Sequence, residues 1–478
     1  MRDDLFDKLH EECGVFGVLG RADAANLVYL GLYALQHRGQ ESAGIASVAE
    51  DGRIVSEKEM GYVADVFTHE RLARLPGDTA IGHVRYSTAG GSALCNAQPI
   101  VAITSKGQIA VAHNGNLVNG AELREQLEAE GAIFSSISDT EVIVHLIARS
   151  KEPDLERAFI DALSRVQGAY AIALLAKGRI FAARDPYGFR PLVLGRLDDA
   201  WTVSSETCAF DLIGANLERE VEAGEVIVIE SRDSVPHLRV VREARAEREA
   251  RCIFEHVYFA RPDSVVFGKN VAEVRQKIGA NLAKEHPIDA DVVVPVPDSG
   301  VFAALGYAQQ SAIPFQFGLV RNHYVGRTFI EPKQTIRNFG VKVKLNPVRE
   351  LVNGKRIVLI DDSIVRGTTS KKIVRMLKQA GAREVHMRIS SPPTRWPCFY
   401  GIDTPERRDL IANQKSMEEI REFIEADSLG YLSEDGLLDA VKNGDDPRQL
   451  YCTACFSGKY PVKSEGTEAE VLAGCATG

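Results

Sequence analysis

The sequence predicts an α+β domain of packed sheets flanked by helices, followed by an α/β domain with a parallel sheet. Three observations carry this prediction. Short alternating or β-branched runs crowd the first half: Cys13–Leu19, Ile81–Val84, Ile109–Ala112, Ala169–Ala176, Ile180–Ala183, Leu192–Leu194 and Val226–Ile229. Many strands with few helices between them favour packed sheets. In the second half, buried-strand runs at Val292–Val296, Phe315–Val320, Ile357–Ile360 and Val385–Ile389 alternate with helical stretches at Val301–Gln310 and Thr369–Ala380. That alternation implies a parallel sheet covered on both faces. Between the halves, Val240–Arg251 (VVREARAEREAR) is charged and polar. The expected division is a leader at 1–12, domains at 13–245 and 246–462, and a loose tail at 463–478.

Two helices punctuate the first half. Ala24–Leu35 places Leu27, Leu30, Gly31, Ala34 and Leu35 on one stripe. Asp139–Arg149 follows Ser138, with Glu141 three residues on, as in a capping box. The 478 residues suffice for two or three domains. With 45% hydrophobic and 26% charged residues, the chain reads as globular rather than disordered. Its net charge of −9 argues against nucleic acid as a partner. The longest apolar run, Leu27–Leu35, falls short of the roughly 18 residues of a membrane span. Met1–Glu12 lacks the apolar core of a secretory signal. Eight cysteines then point to a reducing compartment, where cysteine serves catalysis, metal or core.

The strongest local signal is Ile357–Ser370, IVLIDDSIVRGTTS. A buried strand ends in two acids, and a Gly/Thr/Ser turn opens a helix. Ligands of open α/β sheets bind outside the carboxyl ends of strands. Backbone N–H groups and hydroxyls at a helix N-terminus suit a phosphate. Adjacent carboxylates repel one, so Asp361 and Asp362 are better matched to sugar hydroxyls and a bridging Mg²⁺. Val292–Gly300 (VVVPVPDSG) also runs from strand into a tight turn, either structural or a second phosphate or metal loop. The stretch Asn322–Pro347, preceded by Arg321, carries Arg327, Lys333, Arg337, Lys342 and Lys344; it reads as a basic lid or a solvated loop.

Ile357–Ser370 resembles the phosphoribosyl pyrophosphate (PRPP) signature of type I phosphoribosyltransferases. The resemblance implies that Asp361 and Asp362 hold the ribose hydroxyls, directly or through Mg²⁺, with Ser299 as a further metal contact. It implies that Ser363, Arg366, Gly367, Thr368, Thr369 and Ser370 wrap the 5′-phosphate. Asp298 and Ser299 then lie in the pyrophosphate loop.

Cys13 sits in His10–Gly17, HEECGVFG. Alone it reads as a core residue. Removing twelve residues makes it the N-terminus, and an α-amino group has a pKa of about 7.7–8.0, against about 10.4 for lysine. Near pH 7 part of that amine is neutral and takes the proton of its own thiol. Four polar-glycine clusters follow: Leu35–Gly44 (LQHRGQESAG), Gly82–Thr88 (GHVRYST), Ala112–Asn116 (AHNGN) and Ser138–Glu141 (SDTE). Arg85 could clamp a carboxylate, the Asn114 amide and Gly115 N–H could form an oxyanion hole, and Asp139 could receive an ammonium. Glutamine would use all of these.

Together the clusters resemble the class II glutamine amidotransferases. With the second half, the chain from Cys13 to about Pro461 resembles the glutamine phosphoribosylpyrophosphate amidotransferase family. The resemblance implies an αββα N-terminal-nucleophile sandwich over 13–245, a type I phosphoribosyltransferase domain with a C-terminal cluster-binding segment over 246–462, and a propeptide at 1–12. Cys13 is then the nucleophile. Arg85 and Asp139 bind the glutamine carboxylate and amine, with Gly39 in the glutamine site, and Asn114 and Gly115 stabilise the oxyanion. The family also implies the first committed step of purine synthesis, a cytoplasmic homotetramer and inhibition by purine nucleotides.

Cys452–Cys455 is the only C-x₂-C pair; Cys252 and Cys398 are isolated. On spacing alone these could be half a zinc site, a redox pair or incidental. One branch of the family carries a propeptide and a [4Fe–4S] cluster. The leader and the four cysteines are similar to that branch, which implies one cluster per subunit on Cys252, Cys398, Cys452 and Cys455, besides one Mg²⁺. Cys95 and Cys208 read as packing residues and Cys475 as a tail thiol. Two rivals remain: a glutaminase feeding another acceptor, and a PRPP-binding sensor without turnover.

Overall fold

The computed structural model describes residues 10–11, 13–86, 93–232, 235–322 and 345–463. Most of the leader, Ser87 and Thr88, the basic residues Arg327 to Lys344, and the tail with Cys475 lie outside the described residues.

Seven strands form one antiparallel sheet, in the spatial order Asn216–Glu220, Val193–Leu197, Ala200–Ser204, Cys13–Leu19, Thr79–Arg85, Ser42–Val48, Ile54–Met60. Six form a second, in the order Val235–Glu243, Glu225–Arg232, Arg179–Arg184, Gly168–Ala176, Gly107–Leu117, Ile100–Thr104. The two-residue period of a strand sets the layers. Along Cys13–Leu19, Phe16 and Val18 pack with the helices Ala24–Ala34 and Cys208–Ile213, while Val15 and Leu19 pack against the other sheet. Fully burying a side chain such as Phe16 contributes about 1.5–3 kcal/mol. A Cβ on Gly31 would lie 2.5 Å from the Phe16 ring, so glycine lets this helix settle onto the sheet.

Between the sheets the layer is thin, built from Ala110, Ala112, Ala171, Ala173 and Ala182 opposite Val15, Ile81 and Val203. The far face of the second sheet, with Val111, Ile172, Leu174 and Phe181, packs with the helices Gly120–Ala129, Thr140–Arg149 and Leu155–Arg165. The result is helix, sheet, sheet, helix.

The second half holds a parallel sheet in the order Val292–Pro295, Arg356–Asp361, Glu384–Ile389, Ser428–Tyr431. Val293, Val358 and Ile360 pack with the helices Val271–Glu285 and Val301–Ser311. Val292, Val294, Ile357 and Leu359 pack with Thr368–Gln379 and Met417–Ile424. Arg251–Cys252 pairs in parallel with Tyr451–Cys452, so the crossing between the halves is tied to the C-terminal segment.

Several sequence expectations need correction. Val240–Glu243, at the start of the charged segment, is the end of an edge strand. Phe315–Val320 is not one strand: Phe315 makes a single bridge to Val293, and only Leu319–Arg321 pairs, with Leu345–Pro347. Leu30 is exposed, and the buried stripe instead includes Val28 and Leu32. Glu141 closes no capping box. Its carboxylate accepts the N–H and hydroxyl groups of Ser135 and Ser136 at 2.6–2.8 Å. Burial opposes its ionisation, and those bonds outweigh burial to hold its pKa below the usual range. Cys95 is exposed rather than packed.

Candidate active sites

Cys13 opens its strand, 7% exposed, directly opposite Arg85 in the ladder. Arg85 is buried and faces Ser42 on its other side. Its guanidinium stands 3.5 Å from the Glu41 carboxylate. Gly39 passes so near that a Cβ would lie 2.5 Å from the Arg85 backbone nitrogen. By strand parity Cys13 shares the face of Val15, toward the gap between the sheets, where the strand Gly107–Leu117 packs.

Asn114 on that strand is wholly buried, and neither its amide nitrogen nor its oxygen has a hydrogen-bond partner. Leaving a buried polar group unpaired costs about 1–3 kcal/mol, which marks it as a group kept for a ligand. Gly115 has φ +144°, and a Cβ there would lie 2.1 Å from the Ala169 carbonyl oxygen; the strand takes this path only with glycine. Asp139 accepts the Leu117 N–H at 2.9 Å and stands 3.8 Å from His113 Nδ1, so it braces the same strand. Gln98 accepts the His113 N–H at 2.7 Å, and His83 Nε2 donates to the His113 carbonyl at 3.1 Å. Burial drives the His83 pKa down to about 3, so its ring is neutral. Sequence reasoning assigned nothing to Glu41, His83 or Gln98. The first two sit inside the quoted clusters; Gln98 carried no signal.

In the second half, Asp361 ends its strand and Asp362 opens the turn after it, each 1% exposed. Ser299 donates to Asp362 Oδ1 at 2.6 Å and Ser363 to Oδ2 at 2.7 Å; the Asp362 N–H donates to Asp361 Oδ1 at 3.0 Å. The strand-to-turn segment at Asp298–Ser299 therefore meets the acidic pair. A Cβ on Gly300 would lie 2.4 Å from the Ile360 carbonyl oxygen, so glycine lets the two turns touch. Asp298 is exposed and pairs with Arg321 at 2.7 Å. Gly367, at φ +78°, begins the helix Thr368–Gln379. Thr369 and Ser370 are buried in its first turn, whereas Arg366 and Thr368 are exposed. This is a helix N-terminus beside two acids, an arrangement that accepts a phosphate on one side and hydroxyls or a hard cation on the other.

Cys252, Cys398, Cys452 and Cys455 line one cavity of about 20 Å³, with Phe189, Arg190 and Tyr400. Burial pushes the Cys252 thiol up to about 12, and raises Cys452 and Cys455 as well. Among the described residues, no group of three or more His, Cys, Asp or Glu is arranged to hold a metal ion. None of the described helices is long and apolar enough to cross a membrane.

The chain matches a glutamine amidotransferase domain over residues 83–211 and a phosphoribosyl transferase domain over 267–390. It is 55% identical over 464 residues to an amidophosphoribosyltransferase of Rhizobium etli, covering 96% of this chain and 93% of that protein. It is 53% identical over 473 residues to the chloroplastic amidophosphoribosyltransferase 2 of Arabidopsis thaliana, covering 99% and 83%. Among solved structures, a glutamine PRPP amidotransferase from B. subtilis, complexed with ADP and GMP, superposes with a TM-score of 0.89 at 47% identity, covering 94% of this chain and 98% of that one.

Proposed function

Because the chain belongs to the amidophosphoribosyltransferase family, we propose that its two sites run one reaction: glutamine is hydrolysed at Cys13, and its nitrogen is carried to C1 of PRPP. The observation that supports this most directly is the buried, unpartnered Asn114 amide on the strand facing Cys13. The Cys13 thiolate attacks the glutamine carboxamide carbon. The oxyanion is received by the Asn114 amide and the Gly115 N–H, while Arg85 and Asp139, with the Gly39 backbone beside them, hold the substrate's carboxylate and ammonium. Collapse expels ammonia and leaves a glutamyl thioester, which water cleaves to glutamate. The proton accounting needs the Cys13 α-amino group, so residues 1–12 are a propeptide to be removed. An intact mass of active protein that still includes them overturns this.

At the second site Asp361 and Asp362 hold the ribose hydroxyls, and the first turn of Thr368–Gln379, with Ser363, Arg366 and Gly367, receives the 5′-phosphate. Asp298 and Ser299 face the pyrophosphate. The ammonia lone pair attacks C1 as the bond to pyrophosphate breaks, and loss of a proton gives 5-phosphoribosylamine. The oxygen donors of Asp361, Asp362 and Ser299 fit Mg²⁺, which supplies charge neutralisation for the leaving pyrophosphate. The reaction is the entry to purine synthesis, and we place regulation by purine nucleotides, a homotetramer and the cytoplasm with it.

The donor set of Cys252, Cys398, Cys452 and Cys455 fits a [4Fe–4S] cluster in its chemistry: four thiols line one cavity. Such a group would join the crossing at Cys252 to the C-terminal segment. Iron and sulfide near zero in active protein purified without oxygen overturns this.

The central experiment measures glutamate release with Mg²⁺, with and without PRPP. Strong stimulation by PRPP supports one coupled enzyme. Equal release points to a glutaminase with another acceptor. PRPP binding without turnover points to a sensor.

A further inference from the structure

We propose that Gln98 is a positioning residue of the glutamine site: its side-chain amide holds the oxyanion pair, Asn114 and Gly115, at a fixed distance from Asp139. The inference rests on the reading above, in which Cys13 attacks glutamine and that pair receives the oxyanion. The strand Gly107–Leu117 carries both residues. On one side it pairs with Gly168–Ala176, from Ile109 to Leu117. On the other side its ladder with Ile100–Thr104 stops at Val111, opposite Ile100. Carried on, that register would set Gln98 opposite His113. Pro99 intervenes with no N–H to give, and the Gln98 side chain takes the place of the ladder. Its oxygen accepts the His113 N–H at 2.7 Å. The His113 carbonyl receives His83 Nε2 at 3.1 Å. Both backbone groups of the residue before Asn114 are thus met by side chains rather than by a neighbouring strand.

The other end of the amide reaches the start of the helix Thr140–Arg149. Gln98 Nε2 donates to Thr140 Oγ1 at 3.0 Å, and His113 Nδ1 lies 3.2 Å from the same hydroxyl. The partners fix which way the amide points: a backbone N–H at one end requires the carbonyl oxygen there, which leaves the NH₂ for the hydroxyl. Thr140 follows Asp139, whose carboxylate accepts the Leu117 N–H at 2.9 Å. The span His113–Leu117, with Asn114 and Gly115 inside it, is therefore strung between two consecutive residues: Thr140 through Gln98, and Asp139 directly.

Gln98 and Thr140 are 4% and 0% exposed, so water does not compete for either bond. The Gln98 backbone is held on its own account. Lys58 Nζ donates to the Ala97 carbonyl at 2.7 Å, and a Cβ on Gly44 would lie 2.1 Å from the Gln98 carbonyl oxygen. An anchored backbone lets the amide act as a strut. Losing it frees the His113 end of the span, while the pair Cys13–Arg85 keeps its own register. Oxyanion donors act in the transition state, so loosening them lowers kcat and leaves KM in place.

The test is Gln98→Met in the full chain, which keeps the length of the side chain and removes both bonds. Three quantities are read: kcat and KM for glutamate release, and the rate at which iodoacetamide alkylates Cys13, followed by the mass of the peptide that contains it. In that alkylation the thiolate sulfur bonds to a saturated carbon and iodide leaves; no oxyanion forms, so the rate reports the thiol alone. The kcat falls by about tenfold to thirtyfold, while KM and the alkylation rate stay within about twofold of the parent. An unchanged kcat overturns the proposal. So does a matching fall in kcat and alkylation in folded protein, which would give Gln98 a purely structural role. Should Gln98→Met misfold, Thr140 decides. Thr140→Val keeps the shape without the acceptor and lowers kcat by about fivefold at unchanged KM, and Thr140→Ser restores it; equal kcat in the two overturns the proposal. A parent whose glutamate release survives complete alkylation of Cys13 overturns the underlying reading, and the proposal with it.

Discussion

In the first half, Cys13, Gly39, Arg85, Asn114 and Asp139 come from five separate stretches and meet through antiparallel register and the thin alanine layer between two sheets. In the second half, Asp361 to Ser370 stand on one strand, one turn and the start of one helix. The first site therefore depends on long-range sheet geometry, and the second on a local turn carried by a strand end. The first buries its reactive groups within a core; the second presents part of its turn to solvent at Arg366 and Thr368. Perturbing one should leave the other working.

Cys13→Ala is the sharpest cut. Glutamine-dependent product falls by about a thousandfold or more, while ammonia-dependent phosphoribosylamine formation persists. Loss of both activities in a folded variant would break the separation. Asn114→Ala comes next. Losing one oxyanion donor lowers kcat for glutamate release by about 10²–10³-fold, with the ammonia-dependent rate unchanged; a tenfold or smaller effect removes Asn114 from that role. Asp362→Ala is the mirror image. Ammonia-dependent turnover falls on the order of a hundredfold, and glutamate release without PRPP stays within about twofold. If ammonia-dependent turnover survives, the acidic pair is not the ribose site.

The smallest effect is in acid. His83 titrates near 3 when folded and at about 6.5 when unfolded, so between those values the unfolded chain binds more protons. Its contribution is present above pH 6.5 and lost as pH falls, by about 1.4 kcal/mol per unit. In urea titrations from about pH 7.5 to about pH 5.5, His83→Asn should lose about 1.4 kcal/mol less stability than the parent. Equal losses would show that His83 is not held neutral in the first-half core.

The same contrast explains what the sequence disclosed. Asp361–Ser370 was readable because strand, turn and helix start are contiguous, so chemistry and geometry share one window. For the first half, the clusters were visible but not the register that sets Cys13 opposite Arg85. Ser42–Val48 (SAGIASV) was missed as a strand because its small residues lack β-branched bulk, although small residues are what the close packing needs: a Cβ on Gly44 would lie 2.1 Å from the Gln98 carbonyl oxygen. The helix Val271–Glu285 was missed for a related reason. It packs against Val301–Ser311 through its own Gly279, which weakens the helical pattern. The buried charges Arg38, Arg190, Glu206 and Glu255 had no signal, since each partner is far away in sequence.

On the ribosome, Arg251–Cys252 emerges long before Tyr451–Cys452, the strand it pairs with. At 5–20 residues per second, the intervening stretch of about 200 residues takes about 10–40 s to synthesise. The first half has all its strands by Glu243, so it can close while Cys252 still awaits the strand it pairs with. For that interval a nascent chain carries a thiol that the finished protein encloses, and a translation stall before Tyr451 would leave it open to oxidants.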